Sequence, residues 1–169
     1  MDQVIITRYI DAFYSEEKKP SSNKHITHYS LGKLVSTSRD FIVVAFVEKN
    51  NIPWRGLLLP REAIVLKKNR VSESTRIKNK IKKIKKNISI GIFWKDLVYF
   101  ENGVVPPSYS LMYTEGKVHS VTDKAIIIKN SQTIRVAPKK VANHPKKHLD
   151  ISFLIIPRCF ITDIEIYGK

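Results

Sequence analysis

The chain has 169 residues, a formal net charge of +15 and 43% hydrophobic residues, which is enough for one ordinary domain or two small ones. This hydrophobic content excludes a fully disordered chain, and the longest apolar runs are shorter than the roughly 20 residues that span a bilayer. The single cysteine, Cys159, excludes an internal disulfide and is typical of a reducing compartment. We therefore expect a cytoplasmic protein with no membrane partner.

Residues 1–29 predict a strand or a short helix followed by a polar loop. The run Val4-Ile5-Ile6 favours a strand, whereas Ile6, Ile10 and Phe13 lie on one face if the segment is helical. Residues 15–29 have the composition of a loop.

An internal repeat is the main clue to the fold. Residues 32–36 precede a polar turn and an apolar strand at 41–47, and residues 116–120 precede a similar turn and a strand at 125–129 with identical spacing. An apolar run, a polar turn and a second apolar run together predict a β-hairpin. We therefore expect two β units, at residues 30–66 and 88–169.

Each unit continues to a strand that ends at a proline. These strands are predicted at 57–64 and 134–141, and a third segment of the same kind lies at 154–161. Proline cannot donate a hydrogen bond to a ladder, so each proline must lie at a strand end or edge. We expect 134–141 to close the second unit and the C-terminal strands to complete or bridge it.

The sequence around Pro60 resembles the SH3-like small-barrel superfold. The resemblance rests on Gly56, the apolar strand 57–59, Pro60 and the β-branched pair Ile64-Val65. It implies small barrel units. We therefore expect a mainly β protein of two such units joined by a basic α-helix, with an α+β fold as the minority alternative. The peptide-binding branch of the superfold has a tyrosine three residues after the proline, where this chain has Ala63 and Val141. Binding of proline-rich peptides is therefore not expected.

The segment 67–87 contains ten basic residues and one acid, and so carries nine of the fifteen net positive charges. Ile77, Ile81, Ile84 and Ile88 recur at helical spacing and form a narrow apolar seam. Ser72, Ser74 and Thr75 offer N-cap oxygens. The pattern predicts an amphipathic helix that docks on a barrel or pairs with another helix.

The charge of this helix predicts a polyanion as partner, because lysines at i and i+4 repel each other and phosphates relieve that repulsion. The predicted phosphate contacts in the helix segment are Lys67, Lys68, Arg70, Arg76, Lys78, Lys80, Lys82, Lys83, Lys85 and Lys86. A solvated linker helix, whose lysines serve solubility, is the alternative. A membrane-surface helix would need a broader and more aromatic apolar face.

Two further places extend the predicted interface. A loop with two Pro-Lys-Lys steps supplies Lys139, Lys140, Lys146 and Lys147. Trp54 and Arg55 lie on the longer hairpin loop of the first unit, where Trp54 can stack on a base.

No motif for an enzyme, a cofactor or a structural metal site is present. Asp163 and Glu165 lie on one face of a strand and can be interpreted as Mg²⁺ ligands, although alternation of this kind is typical of an exposed edge strand. The sequence thus predicts a non-enzymatic RNA- or DNA-binding protein, acting alone or within a larger nucleoprotein complex. The alternatives are a protein–protein interaction module and a small metal-dependent nuclease.

Overall fold

The computed structural model describes residues 4–15, 27–46, 55–64, 74–100, 108–137 and 153–167, which form two antiparallel sheets and one short α-helix. The mainly β fold class is therefore confirmed. In chain order the elements are β1 (Val4–Ile10), β2 (Phe13–Ser15), β3 (Thr27–Thr37), β4 (Phe41–Phe46), β5 (Gly56–Pro60), α1 (Thr75–Lys82), β6 (Ser89–Asp96), β7 (Val98–Phe100), β8 (Ser110–Val121), β9 (Ala125–Ala137), β10 (Phe153–Pro157) and β11 (Ile161–Tyr167). Single 3-10 turns at Arg61–Ala63 and Arg158–Phe160 follow β5 and β10.

The five strands of the first sheet correspond in order to five of the six strands of the second. The first sheet runs β1-β3-β4-β5-β7 and the second runs β11-β6-β8-β9-β10-β2. After the turn Arg158–Phe160, β11 returns to pair with β6, and after the turn Arg61–Ala63, Ile64 forms an isolated bridge with Tyr9 of β1. Each unit thus has an apolar strand, a proline-led turn and a residue that returns to its sheet, in the same order along the chain.

The sequence repeat corresponds to repeated hydrogen bonding. The hydroxyls of Ser38 and Thr122 each accept a bond of 3.0 Å from the backbone N–H three residues later. Arg61 donates to the carbonyl of Ser38 at 2.7 Å, and Arg158 donates to the carbonyl of Thr122 at 3.0 Å. The first residue of each 3-10 turn therefore closes the hairpin turn of its own unit.

The predicted closing strand of the second unit was wrong. Residues 134–137 are the end of β9, and β10 with Pro157 takes the closing position. The reason is the length of β8, which offers β9 partners from Val121 back to Leu111, so that β9 continues past the point where the first unit turns. Pro138 and Val141 lie outside the described residues.

The units exchange short edge strands. β2, from the N-terminal region, pairs with β10 of the second sheet, and β7, which follows β6 in the chain, pairs with β5 of the first sheet. The predicted boundaries at residues 29, 66 and 87 remain predictions, but hydrogen bonds cross between the units that they separate.

The N-terminal segment forms a strand, so the helical alternative for it was wrong. β1 pairs with β3 along seven residues, which places Ile6 opposite Leu31. The predicted loop extends to residue 29, but β3 already begins at Thr27. Residues 16–26 lie outside the described chain.

Four clusters of buried apolar residues are found among the described residues. The larger cluster of the second unit includes Ile92, Ile126, Ile156 and Phe160, and a cluster of the first unit includes Ile42, Val44, Leu57 and Leu59. Tyr9 packs against both, which joins the two interiors. No helix within the described ranges is long and apolar enough to cross a membrane.

Candidate nucleic-acid interface

Helix α1 is shorter than the predicted segment. Of the three predicted capping residues, Ser74 is the N-cap, and its hydroxyl accepts from the backbone N–H of Ile77 at 3.3 Å. At the other end, Lys83 and Ile84 make 3-10-type bonds of 3.0 Å to the carbonyls of Lys80 and Ile81. The helix therefore occupies Thr75–Lys82, and the lysines after it lie on a tightened last turn and the residues beyond it.

The isoleucine seam docks on the second sheet. Ile77 and Ile81 are 2% and 6% exposed, and both belong to the larger core cluster together with Ile164 of β11. Ile84 and Ile88 are half-buried against the same cluster. Burial of two isoleucines contributes about 2 kcal/mol each, so the helix is held against the sheet by one face. Its remaining surface is turned away from the core.

The surface away from the core is basic. Among the predicted contacts, the exposed lysines of the helix and the residues that follow it are Lys78, Lys82, Lys83, Lys85 and Lys86. Within the described ranges none of these five forms an ion pair. The structure thus brings five of the predicted residues together on one segment of nine residues, 78–86.

Two other predicted contacts are engaged by an acid. Lys80 donates to Asp163 at 2.6 Å and to the carbonyl of Ile164 at 2.8 Å, and Arg76 donates to Asp163 at 2.9 Å. The hydrogen bond from Lys80 is the main cause that lowers the pKa of Asp163 below its usual value. Part of the repulsion within the helix is therefore relieved by β11, which the helix sequence alone does not reveal.

The turn after the helix carries the positive charge onto β8 and β9. Asn87 has φ 67°, a left-handed conformation that asparagine tolerates, and its N–H donates to the carbonyl of Val118 at 2.8 Å. Its side-chain oxygen accepts from Lys129 at 3.0 Å. Lys117 is the cross-strand partner of Lys129, so two more lysines lie beside this turn.

Sequence reasoning missed Lys117, Lys129 and the neighbouring His119. Burial, followed by the ammonium groups of Lys86 and Lys129, lowers the pKa of His119. The signal was present in the repeat, because Lys117 and His119 lie within the predicted strand 116–120 and Lys129 ends the strand at 125–129. The sequence does not reveal that the turn at Asn87 packs against β8 and so brings Lys86 close to these residues.

The remaining predicted contacts fall mostly outside the described residues. These are Trp54, Lys67, Lys68, Arg70, Lys139, Lys140, Lys146 and Lys147. Arg55 is exposed, and its carbonyl accepts from the N–H of Phe46 at 2.8 Å, which places it beside the first sheet and its hairpin loop. Their roles stay predictions.

The carboxylates of the nuclease hypothesis already have partners. Asp163 is held by Lys80 and Arg76 as described. Glu165 accepts hydrogen bonds from the hydroxyls of Tyr113, at 3.4 Å, and Tyr167. The positive charges of Lys80 and Arg76 neutralise the negative charge of Asp163 that would attract a divalent cation.

An exposed apolar surface lies on the outer side of β1 and β3. Ile6, Tyr29 and Leu31 are 75%, 67% and 56% exposed, and the register places Ile6 opposite Leu31. Arg8 lies opposite Tyr29 with its guanidinium 5.9 Å from the ring centre. In the second unit Glu115 lies at the place of Leu31 and Gly91 at the place of Ile6, whereas Tyr113 lies at the place of Tyr29. The two units therefore present different chemistry on matching faces.

Two half-buried acids, Asp11 and Asp96, interact with each other. Burial is the main cause that raises the pKa of Asp96 to about 7 and that of Asp11 to about 6, and the charge of Asp11 raises the value for Asp96 further. The charge of Arg135 acts in the opposite direction on Asp96. Such values make Asp96 a proton acceptor near neutral pH.

Comparison with known proteins returned no match among protein-family models, curated proteins or solved structures.

Proposed function

We propose that this chain binds nucleic acid without catalysis, by contacting backbone phosphates through the exposed side of α1 and the turn that follows it. One observation carries the proposal. The isoleucine seam is docked on the second sheet, and this docking leaves five lysines exposed without an acidic partner among the described residues.

The docking favours a binding element over a solvated linker. A linker helix has no need of a buried face, whereas Ile77 and Ile81 are almost fully buried. Lys78 and Lys82 lie at i and i+4, as do Lys82 and Lys86. The two lysines of each pair therefore repel each other, at a cost of a few tenths of a kcal/mol per pair. A polyanion removes this repulsion and releases its own counterions.

The proposal predicts a steep dependence on salt. Five phosphate contacts give a slope of about −4.5 in a plot of log affinity against log salt concentration, if the ligand is duplex. Between 50 and 200 mM salt the affinity then falls by roughly 500-fold. Phosphate contacts carry no sequence information, so RNA and DNA are both included in the proposal.

The experiment is an anisotropy titration with single- and double-stranded DNA and RNA of equal length, at several salt concentrations. The test variant is K78Q/K82Q/K83Q, which keeps good helix formers. The control is K33Q/R39Q/K124Q, which removes the same charge from exposed positions on the hairpins. With a duplex ligand, we expect the slope of log affinity against log salt concentration to become less steep by about 2.7 in the test variant alone. No binding at low salt, or the same loss in both variants, contradicts the proposal.

A second candidate is a protein-interaction module that binds an acidic protein. The exposed apolar surface of Ile6, Tyr29 and Leu31 supports it, and Arg8 beside this surface favours an acidic partner. A photo-crosslinker at position 29 should then capture one acidic protein in cells, and I6S/L31S should prevent the capture. Equal capture from position 39, on the exposed hairpin turn, would count against this candidate.

We also propose a cytoplasmic location, because the sequence has a single cysteine and therefore no internal disulfide. The nuclease hypothesis is not carried forward, because both of its carboxylates have protein partners.

A further inference from the structure

We infer that Lys86, Lys117 and Lys129 form a phosphate-binding site on the outer face of β8 and β9, with His119 as its fourth member. Lys117, Lys129 and His119 were not part of the predicted interface. The site deepens the proposed function. The claim that its natural ligand is a polymer rests on that proposed function. Its own chemistry requires only a phosphate group.

The sheet places two of the lysines side by side. Lys117 and Lys129 are directly opposite on antiparallel strands, so their Cβ atoms are about 5 Å apart and their side chains share a face. Like charges in this position repel each other. In the first unit the residue opposite Lys33, which corresponds to Lys117, is Ala45. The lysine pair is therefore a feature of the second unit and not a requirement of the fold.

The third lysine comes from the turn after α1. The left-handed conformation of Asn87 and its N–H bond to Val118 bring the end of the helix segment against β8. Lys129 donates to the neutral amide oxygen of Asn87, so this contact orients the ammonium group without cancelling its charge. Within the described parts of the chain, none of the three lysines forms an ion pair.

His119 lies beside these charges at a β-bulge. The bulge between Val118 and Ser120 leaves His119 without a cross-strand partner, and its ring packs edge-on against Phe153 of β10 at 4.7 Å. The charged groups that act on its ring are Lys86 from the turn after α1 and Lys129 from β9, and Lys117 lies two residues before it on its own strand. Glu115 of the same strand lies farther along and accepts from Tyr113 at 3.0 Å. A phosphate bound by the lysines offsets the positive field that they exert on His119.

This change of field couples binding to protonation. In the free protein, burial and then the charges of Lys86 and Lys129 lower the pKa of His119 below 6.5. A bound phosphate favours the imidazolium and raises that pKa, so binding takes up a proton. Affinity should consequently increase as the pH falls through the range in which histidine titrates.

The test is an NMR titration of the His119 ring with inorganic pyrophosphate at matched ionic strength. We expect the pKa of His119 to rise when pyrophosphate is added, and K117Q/K129Q to weaken pyrophosphate binding about tenfold or more. The control K33Q/K124Q removes the same charge away from the site and should respond like the parent protein. H119Q should lose the pH dependence of binding, whereas H28Q should keep it.

The inference fails if sodium chloride shifts His119 as much as pyrophosphate does, or if K117Q/K129Q responds like the parent. The outcomes also separate this site from the proposed function. Pyrophosphate binding at His119 without nucleic-acid binding supports the site and removes the polymer as ligand. Nucleic-acid binding that leaves His119 unchanged keeps the proposed function and overturns the site.

Discussion

Lys80 of helix α1 and Asp163 of β11 are joined by a hydrogen bond of 2.6 Å, 83 residues apart in the chain. Asp163 also accepts a hydrogen bond from Arg76, so one carboxylate forms ion pairs with two basic residues of the helix. The pair therefore has two effects of opposite sign. It stabilises the docked helix, and it withdraws positive charge from the surface that we propose to bind phosphates.

Asp163→Asn should separate these effects. We expect it to lower the free energy of unfolding by about 1 kcal/mol at pH 7, since the side chains involved are about one-third exposed or more. Affinity for nucleic acid should increase at the same time, because Lys80 and Arg76 become available. Denaturation and anisotropy titrations measure the two effects, and a loss of affinity would contradict this account.

The stability effect of Asp163 should depend on pH. Its pKa is lowered in the folded protein, so its contribution is complete above the unfolded value of about 4 and is lost as the pH falls through the folded value. The difference between the parent and D163N should therefore disappear in acid. Glu165 on the same strand offers the matched control variant E165Q, because the partners of Glu165 are tyrosines.

Asp96 predicts the opposite pH dependence. Its pKa is raised to about 7 in the folded protein, whereas the unfolded chain releases the same proton near pH 4. The free energy of unfolding is therefore highest below about pH 4 and falls as the pH rises to 7, where the folded carboxyl also ionises. Asp96→Asn keeps the neutral form at every pH. We expect the free energy of unfolding of the variant to match that of the parent near pH 4 and to exceed it by up to about 4 kcal/mol at pH 8, which corresponds to a shift of about three pKa units. Denaturant melts at both pH values measure this, and an equal effect at both would show that the charge is not responsible.

The sequence predicted the repeat and the docked seam because both depend on local spacing. Residues 32–36 and 116–120 carry the hairpin pattern directly, and Ile77 and Ile81 lie one helical turn apart. The error at residues 134–137 arose because β9 continues only where β8 is long enough to pair with it. The partners of Asp163 and the lysines around His119 depend on contacts between distant segments, which no local pattern encodes.

Two glycines should respond differently to alanine. A Cβ at Gly32 would lie 2.3 Å from the backbone oxygen of Ala45, whereas at Gly91 it would meet the hydroxyls of Tyr113 and Tyr167 at 2.4 and 2.8 Å. A backbone oxygen within a ladder cannot move aside, but the ends of tyrosine side chains can. We expect G32A to lower the free energy of unfolding by about 2 kcal/mol or more and G91A by less. Equal losses in denaturant melts would contradict this reasoning.

Ile81→Ala tests whether the docked helix presents its lysines as a fixed array. Ile81 is 6% exposed within the core cluster, so the variant should lower the free energy of unfolding by 2 kcal/mol or more. Ile84→Ala, at a half-buried position of the same seam, is the matched control and should have a smaller effect. If docking holds the lysines in place, I81A should weaken nucleic-acid binding without changing the net charge of the chain. Unchanged affinity in a destabilised but folded I81A would instead mean that the helix orders on the nucleic acid itself.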